Sequence, residues 1–162
     1  MGTNLRQNPD GSVSLVSDAD AIEHVRVGGP INPTAALPRW SNEKTVKIAL
    51  IAADTAGAAL AWQNPESGAI LVTGVVLDVT TKSTGAGTIS LGSAANGTTS
   101  SANLIDTLDV GTAIGLFDNN TDKGAAGKTR QKVTVGQYVT GSKATGSLAG
   151  LVGNAYITYI PA

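Results

Sequence analysis

From residue 44 onward, apolar and polar residues alternate in short runs that turn-forming residues separate. Val46, Ile48 and Leu50 share one side of an extended chain, with polar or small residues between them. The same alternation closes the chain, where Tyr156 and Thr158 alternate with their neighbours. Many short strands of this kind predict an all-β domain, either a β-sandwich or a jelly roll.

The longest predicted strand covers residues 69–81 and follows a turn at residues 64–68. We expect two apolar faces on it, one with Leu71, Val75, Leu77 and Val79, the other with Ile70, Val72 and Val76. Such a strand is central and is covered twice, once by its own core and once by a neighbour. Further strands are predicted at 88–92, near Ile114 and Leu116, near Val133 and Val135, at 138–140 and within 146–160. Residues 103–108 space their apolar side chains like one helical turn, with Ser101 as N-cap.

Residues 1–42 differ from the rest of the chain, since they hold four of the six prolines and show no sustained period. This break predicts an extended N-terminal arm over residues 1–42 and a β-sandwich or jelly-roll domain over residues 43–162. The arm is either a disordered leader or a segment that orders against a partner. Its apolar residues are too numerous for an inert tail. Those expected to contact a partner are Val13, Leu15, Val16, Ile22, Val25, Val27 and Ile31.

Composition restricts the function classes. The chain has no cysteine, so disulfides do not hold it together and assembly inside a cell is expected. Eleven basic and twelve acidic side chains leave no basic footprint, and we therefore expect no nucleic-acid partner. The apolar runs are too short to cross a bilayer and the N-terminus lacks an apolar signal segment, so we expect no membrane partner and synthesis in the cytoplasm.

Residues 118–129 contain fragments of two ligand-binding motifs. Gly127 and Lys128 resemble the end of a phosphate-binding P-loop, but Asp122 occupies the position of its first glycine. Asp118, Asn120 and Asp122 match the first ligand positions of a calcium loop. That loop needs glycine at its sixth position and glutamate at its twelfth, which are Lys123 and Thr129 here. We predict turns rather than a metal or cofactor site, and sequence alone leaves open whether residues 118–124 bind an ion.

Catalytic constellations are equally incomplete. His24 is the only histidine and lies in the arm, and no serine sits in a nucleophile elbow, so no triad is predicted. Without a cysteine or a second histidine, no zinc site is predicted either. Asp78, Asp106 and Asp109 are the least improbable carboxylates for a glycosidase pair, without support from their spacing. Trp62 and Tyr138 are candidate glycan platforms, although a core or interface anchor suits Trp62 better. We predict no catalytic residues and no enzyme activity.

Four segments resemble phrases found in small structural proteins of tailed-phage heads. They are residues 61–66 (AWQNPE), 70–81 (ILVTGVVLDVTT), 103–111 (NLIDTLDVG) and 151–159 (LVGNAYITY). The chain therefore resembles the head decoration, or cement, proteins over roughly residues 60–161. The resemblance implies a virion protein on the capsid exterior, a homotrimer, the major capsid protein as partner, and an arm that lies across neighbouring subunits. The alternative is a receptor- or glycan-binding module of a phage head or tail fibre.

Overall fold

The computed structural model describes residues 42–162 in full and, for residues 4–7 and 13–16, the backbone alone. The chain divides into two compact units, Met1–Ser41 and Asn42–Ala162. In the first unit, β1 (Asn4–Gln7) pairs antiparallel with β2 (Val13–Val16), a hairpin that was not predicted from the sequence. Within the described residues, no helix has the length and apolar character that a membrane crossing requires.

The second unit is a β-sandwich of two antiparallel sheets, and this confirms the all-β prediction. Its strands are β3 (Lys44–Ala49), β4 (Leu60–Gln63), β5 (Ile70–Thr81), β6 (Thr88–Ala94), β7 (Ile105–Asp109), β8 (Gly115–Asp118), β9 (Gln131–Val133), β10 (Tyr138–Thr145) and β11 (Val152–Pro161). One sheet has the order β4-β10-β6-β7. The other has the order β3-β11-β5-β8, and β9 also pairs with β5.

The core lies between the two sheets and is almost entirely aliphatic. Leu60, Ile89 and Leu91 reach it from the four-stranded sheet, and Leu77 and Ile157 reach it from the five-stranded sheet, each with at most 1% of its surface exposed. These side chains sit at alternate positions of their strands, as a sheet with one buried face requires. At about 1.5–3 kcal/mol for each large side chain, this burial is the main stabilising contribution.

The longest strand is β5, as predicted, but its two faces differ from the prediction because of a bulge. The pairing of β5 with β11 shifts between Thr158 and Tyr159, which leaves Thr73 as an extra residue in β5. An extra residue reverses which side the following side chains take. Ile70, Val72, Val75, Leu77 and Val79 therefore all face the core, whereas Leu71 and Val76 lie on the outer face.

The helical turn predicted at residues 103–108 is wrong. Residues Ile105–Asp109 form β7, which pairs with β6. The amide of Leu104 donates to the carbonyl of Leu91 at 3.0 Å, and both Leu104 and Ile105 are completely buried. Pairing with a neighbouring strand thus outweighs the local spacing of the apolar residues, because one helical turn forms only one or two backbone hydrogen bonds.

The outer face of the four-stranded sheet carries small polar side chains that loops cover. The Thr140 hydroxyl donates to the Thr99 carbonyl at 2.8 Å, and the Ser142 hydroxyl accepts from the Gly57 amide at 2.7 Å. Both side chains are buried although they point away from the core. The loops before β4 and after β6 therefore close this side of the sandwich.

Candidate functional site

The residues that match part of a calcium loop lie in a hydrogen-bonded turn. One oxygen of Asp118 accepts hydrogen bonds from the amides of Asn120 and Thr121, both at 2.7 Å. These bonds, that from Thr121 first, hold the pKa of the Asp118 carboxyl below its ordinary value. Asp122 in turn accepts from the Asp118 amide at 2.9 Å. Among residues 42–162, no three acidic or histidine side chains come together in a way that could hold a metal ion.

The P-loop-like segment is tied to β7 and not to a helix. The Ala126 amide donates to the Asp106 carboxylate at 3.1 Å, and the Lys128 amide donates to the Asn103 carbonyl at 3.1 Å. A phosphate cradle needs such amides free to point at the ligand. The segment continues into β9, so the strand that was predicted after it is confirmed.

A gap in the five-stranded sheet is closed by the Asn119 side chain. β8 and β9 both pair with β5, but at its two ends, so that the middle of β5 lacks a partner strand on this side. Asn119 bonds to Val75 there, and its amide nitrogen donates to the carbonyls of Lys128 and Thr129 at 2.9 and 3.0 Å. An open depression of about 460 Å³ remains beside it, lined in part by Thr73, Thr129 and Arg130.

The candidate glycan platform Trp62 packs against the core. Its ring centroid lies 5.2 Å from that of Tyr159 with the planes tilted by 50°. Tyr159 donates from its hydroxyl to Glu66 at 3.2 Å, and Lys44 bonds the same oxygen at 2.6 Å. Trp62 therefore belongs to a cluster that joins the two sheets, which agrees with the anchor interpretation. Tyr138 is half-buried, with its ring against Gly97.

The three candidate carboxylates are distributed over both sheets. Asp78 lies on the outer face of the five-stranded sheet, whereas Asp106 and Asp109 belong to β7 of the other sheet. Asp109 accepts from the Thr112 hydroxyl at 2.8 Å and from the Gly111 amide at 2.8 Å, and these bonds lower its pKa. None of the three lines the depression beside Asn119.

The outer face of the five-stranded sheet carries more apolar side chains than a polar exterior would. Leu71, Val76 and Tyr156 lie on it half-buried. At the end where β3 and β5 finish and β8 and β11 begin, four large apolar side chains are exposed. They are Ile51 (60%), Ile114 (63%), Leu116 (72%) and Val152 (54%). Leu116 and Val152 belong to strands of this face, and Ile51 and Ile114 belong to loops that adjoin it. We call this surface, with its apolar end, the open face.

No strand of residues 42–162 packs on the open face, since the only other sheet of this unit lies on the opposite side. The sequence analysis placed Ile114 and Leu116 on a strand but did not single them out as surface groups. Their exposure depends on which side of β8 faces the core. Phe117 packs against the core, so its neighbour Leu116 points outward.

The residues predicted to contact a partner cannot be placed on a surface. Val13, Leu15 and Val16 belong to β2, of which only the backbone is described. Ile22, Val25, Val27 and Ile31 lie outside the described residues, as does His24. Their role stays a prediction from the sequence.

We compared the chain with protein-family models, with curated proteins and with solved structures, and none of the three comparisons yields a match.

Proposed function

We propose that this protein is a non-enzymatic structural protein of a phage virion that binds the outer surface of the capsid and stabilises it. The proposal starts from the resemblance of residues 60–161 to head decoration proteins. The open face is the structural observation that supports it best, because an exposed apolar patch of this kind is typical of a surface that binds protein, whether another copy of the chain or a capsid subunit.

The way in which the polar side chains are used also supports a structural role. Asp54, Asp109 and Asp118 each accept two or more hydrogen bonds that hold loops in place. A decoration protein needs contact area and many modest contacts, and symmetric shells multiply such contacts into strong overall binding.

In this proposal the N-terminal unit contacts the major capsid protein or neighbouring subunits. Extended segments can add a strand to the edge of another sheet, which gains main-chain hydrogen bonds without a large preformed surface. The backbone of β1 and β2 has the extended geometry that such pairing uses. The homotrimer and the location on the capsid exterior remain predictions from the resemblance.

Binding to purified phage heads that lack this protein tests the proposal. The full chain should sediment with the heads and raise the temperature at which they rupture. A chain that begins at Asn42 should lose this binding and keep its β-sheet circular dichroism, because residues 42–162 contain their own core. Full binding by the truncated chain would exclude the arm as the contact, and no binding by either chain would exclude the proposed function.

The same assay separates the glycan-binding alternative. Trp62→Phe and Tyr138→Ala variants should bind heads as the natural chain does. The glycan-binding alternative predicts a different result. The natural chain would bind a host-surface polysaccharide, and the two variants would lose that binding.

A further inference from the structure

Three strand pairings place the outward residues of the open face in rows. Tyr156 is opposite Lys47 on one side and Val76 on the other, and Val76 is opposite Asp118. The Nζ atom of Lys47 lies 5.8 Å from the centroid of the Tyr156 ring, so these two side chains occupy the same face. The first row therefore runs from a cation on β3, across two half-buried side chains, to an anion on β8.

The adjacent row runs nearer to the apolar end. Asn154 is opposite Ala49 and Asp78, and Asp78 is opposite Leu116. Beyond this row lies Val152, with Ile51 following β3 and Ile114 preceding β8 at the same end of the sheet. From β3 to β8 the first row thus changes from positive to negative charge. Along the strands, exposed apolar side chains become more frequent toward the end where β8 and β11 begin.

Two copies of the open face can be placed face to face by a twofold rotation that brings complementary residues together. An axis parallel to the strands, between β11 and β5, places β3 of one copy over β8 of the other and keeps each row at its own level. Lys47 then faces Asp118 of the second copy, and Ala49 faces Leu116 of the second copy. The Asn154 amide faces Asp78 of the second copy, which can accept a hydrogen bond from it. A twofold axis makes each of these contacts twice.

The apolar end selects this axis over the other twofold axis in the plane of the face. An axis across the middle of the strands would lay the exposed end, with Ile51 and Ile114, over the opposite end of the sheet. The strand-parallel axis instead brings the two apolar ends together, so that Ile51 of one copy lies near Ile114 of the other. Removing these apolar side chains from water favours this arrangement.

The available area and the net charge are both compatible with such a pair. The 32 residues of β3, β11, β5 and β8, at a rise of about 3.3 Å and a strand spacing of about 4.8 Å, cover on the order of 500 Å² per copy. This is the size of a weak interface, since interfaces below about 600 Å² per partner are typical of weak or transient complexes. The formal net charge of −1 produces little repulsion between copies.

We infer that the open face binds the open face of a second copy of this chain, in a twofold pair with Lys47 against Asp118 of the second copy. The pair covers the outer face of β5, on which Leu71 and Val76 lie half-buried. It does not rest on the proposed function: heads could bind an unpaired chain, and a paired chain could fail to bind heads. A trimeric ring is compatible with it, because a ring of three and this pair together close a hexamer.

Cross-linking tests the geometry directly, because the chain has no cysteine of its own. Full-length Ala49→Cys and Leu116→Cys proteins are prepared separately, mixed, and treated with a short bismaleimide. Positions 49 and 116 of different copies should lie about 10 Å apart across the two sheets. Two copies of the same position should lie roughly 17 Å apart, since a lateral separation of three strand spacings, about 14 Å, lies at a right angle to that gap. The mixture should therefore cross-link strongly and each variant alone weakly.

Sedimentation of the full chain supplies the second measurement. The natural chain should associate into an even number of copies, and Leu116→Glu should weaken association at least tenfold because it buries an unpaired charge. Val135→Glu is the matched control, since Val135 is similarly exposed (59%) but lies beyond β9 and outside the open face. A chain that stays monomeric or forms only trimers would overturn the inference. So would equal effects of the two glutamates, or cross-linking of the mixture that is no stronger than that of the separate variants.

Discussion

Asn119 and Val75 bond to each other twice, and this pair replaces a missing strand contact. The Asn119 side-chain oxygen accepts from the Val75 amide at 2.8 Å, and the Asn119 backbone amide donates to the Val75 carbonyl at 3.1 Å. The remaining side-chain group of Asn119 holds the loop that leads to β9. One asparagine thus satisfies buried backbone groups that two separate strands leave free, and such groups are costly without partners.

Replacing Asn119 with alanine should therefore be strongly destabilising. The substitution leaves the Val75 amide and two loop carbonyls without a partner, and we expect a loss of about 2 to 4 kcal/mol in the free energy of unfolding. Urea denaturation followed by circular dichroism measures this value. Asn120→Ala is the control, because Asn120 is exposed and should change stability by no more than about 0.5 kcal/mol. Similar losses in the two variants would show that Asn119 does not have this bridging role.

Two glycines with the same backbone conformation should respond differently to alanine. Gly146 and Gly136 have φ of +64° and +78°, so a side chain is strained at either position. A Cβ atom at Gly146 would also collide with the Ala86 carbonyl oxygen, whereas nothing lies within 4 Å of one at Gly136. We expect Gly146→Ala to cost at least about 2 kcal/mol more than Gly136→Ala. If the two variants unfold at the same temperature, the loops that contain Gly146 and Ala86 do not pack closely.

Asp54 should make the stability of the domain depend on pH in the acid range. The Leu148 amide bonds Asp54 at 2.7 Å and the Ser147 hydroxyl at 2.9 Å, and these bonds, in that order, hold its pKa below the ordinary value. A carboxyl with a lowered folded-state pKa contributes fully above its unfolded pKa, about 3.9 for aspartate. That contribution is lost as the pH falls through the folded-state pKa.

We therefore expect Asp54→Asn to lower the melting temperature at pH 7 and to have a progressively smaller effect as the pH falls below about 3.9. Thermal unfolding between pH 7 and pH 2 measures the convergence of the two proteins. A constant difference between Asp54→Asn and the natural chain at every pH would show that the carboxylate charge is not responsible.

Trp62 should behave as an anchor of the fold. Trp62→Ala removes the contact with Tyr159 at the junction of the two sheets, and we expect a loss of about 3 kcal/mol in the free energy of unfolding. Trp62→Phe should retain more than half of this contribution. An exposed glycan platform would predict almost no change in stability for either variant, so denaturation curves distinguish the two roles.

The alternation of apolar residues determined the fold class without any tertiary information. Residues 88–92 and 152–161 must be extended, since only that geometry places Ile89 with Leu91, or Ala155 with Ile157, on one buried face. The same alternation correctly located the strands at both ends of the loop that spans residues 119–130. The choice of strand at these positions depends on hydrophobic spacing, which is a property of the sequence.

Only the tertiary structure decided which face of its sheet each side chain lies on and which polar side chains form buried hydrogen bonds. The bulge at Thr73 reversed the sides predicted for Ile70 and Leu71, because a bulge depends on the register with β11 and leaves no periodic signal. Pairing with β6 made residues 105–109 a strand. The exposure of Leu116 and the burial of Asn119 followed from the way in which β8 meets β5. These features arise from contacts between distant segments, and no local pattern of residues specifies them.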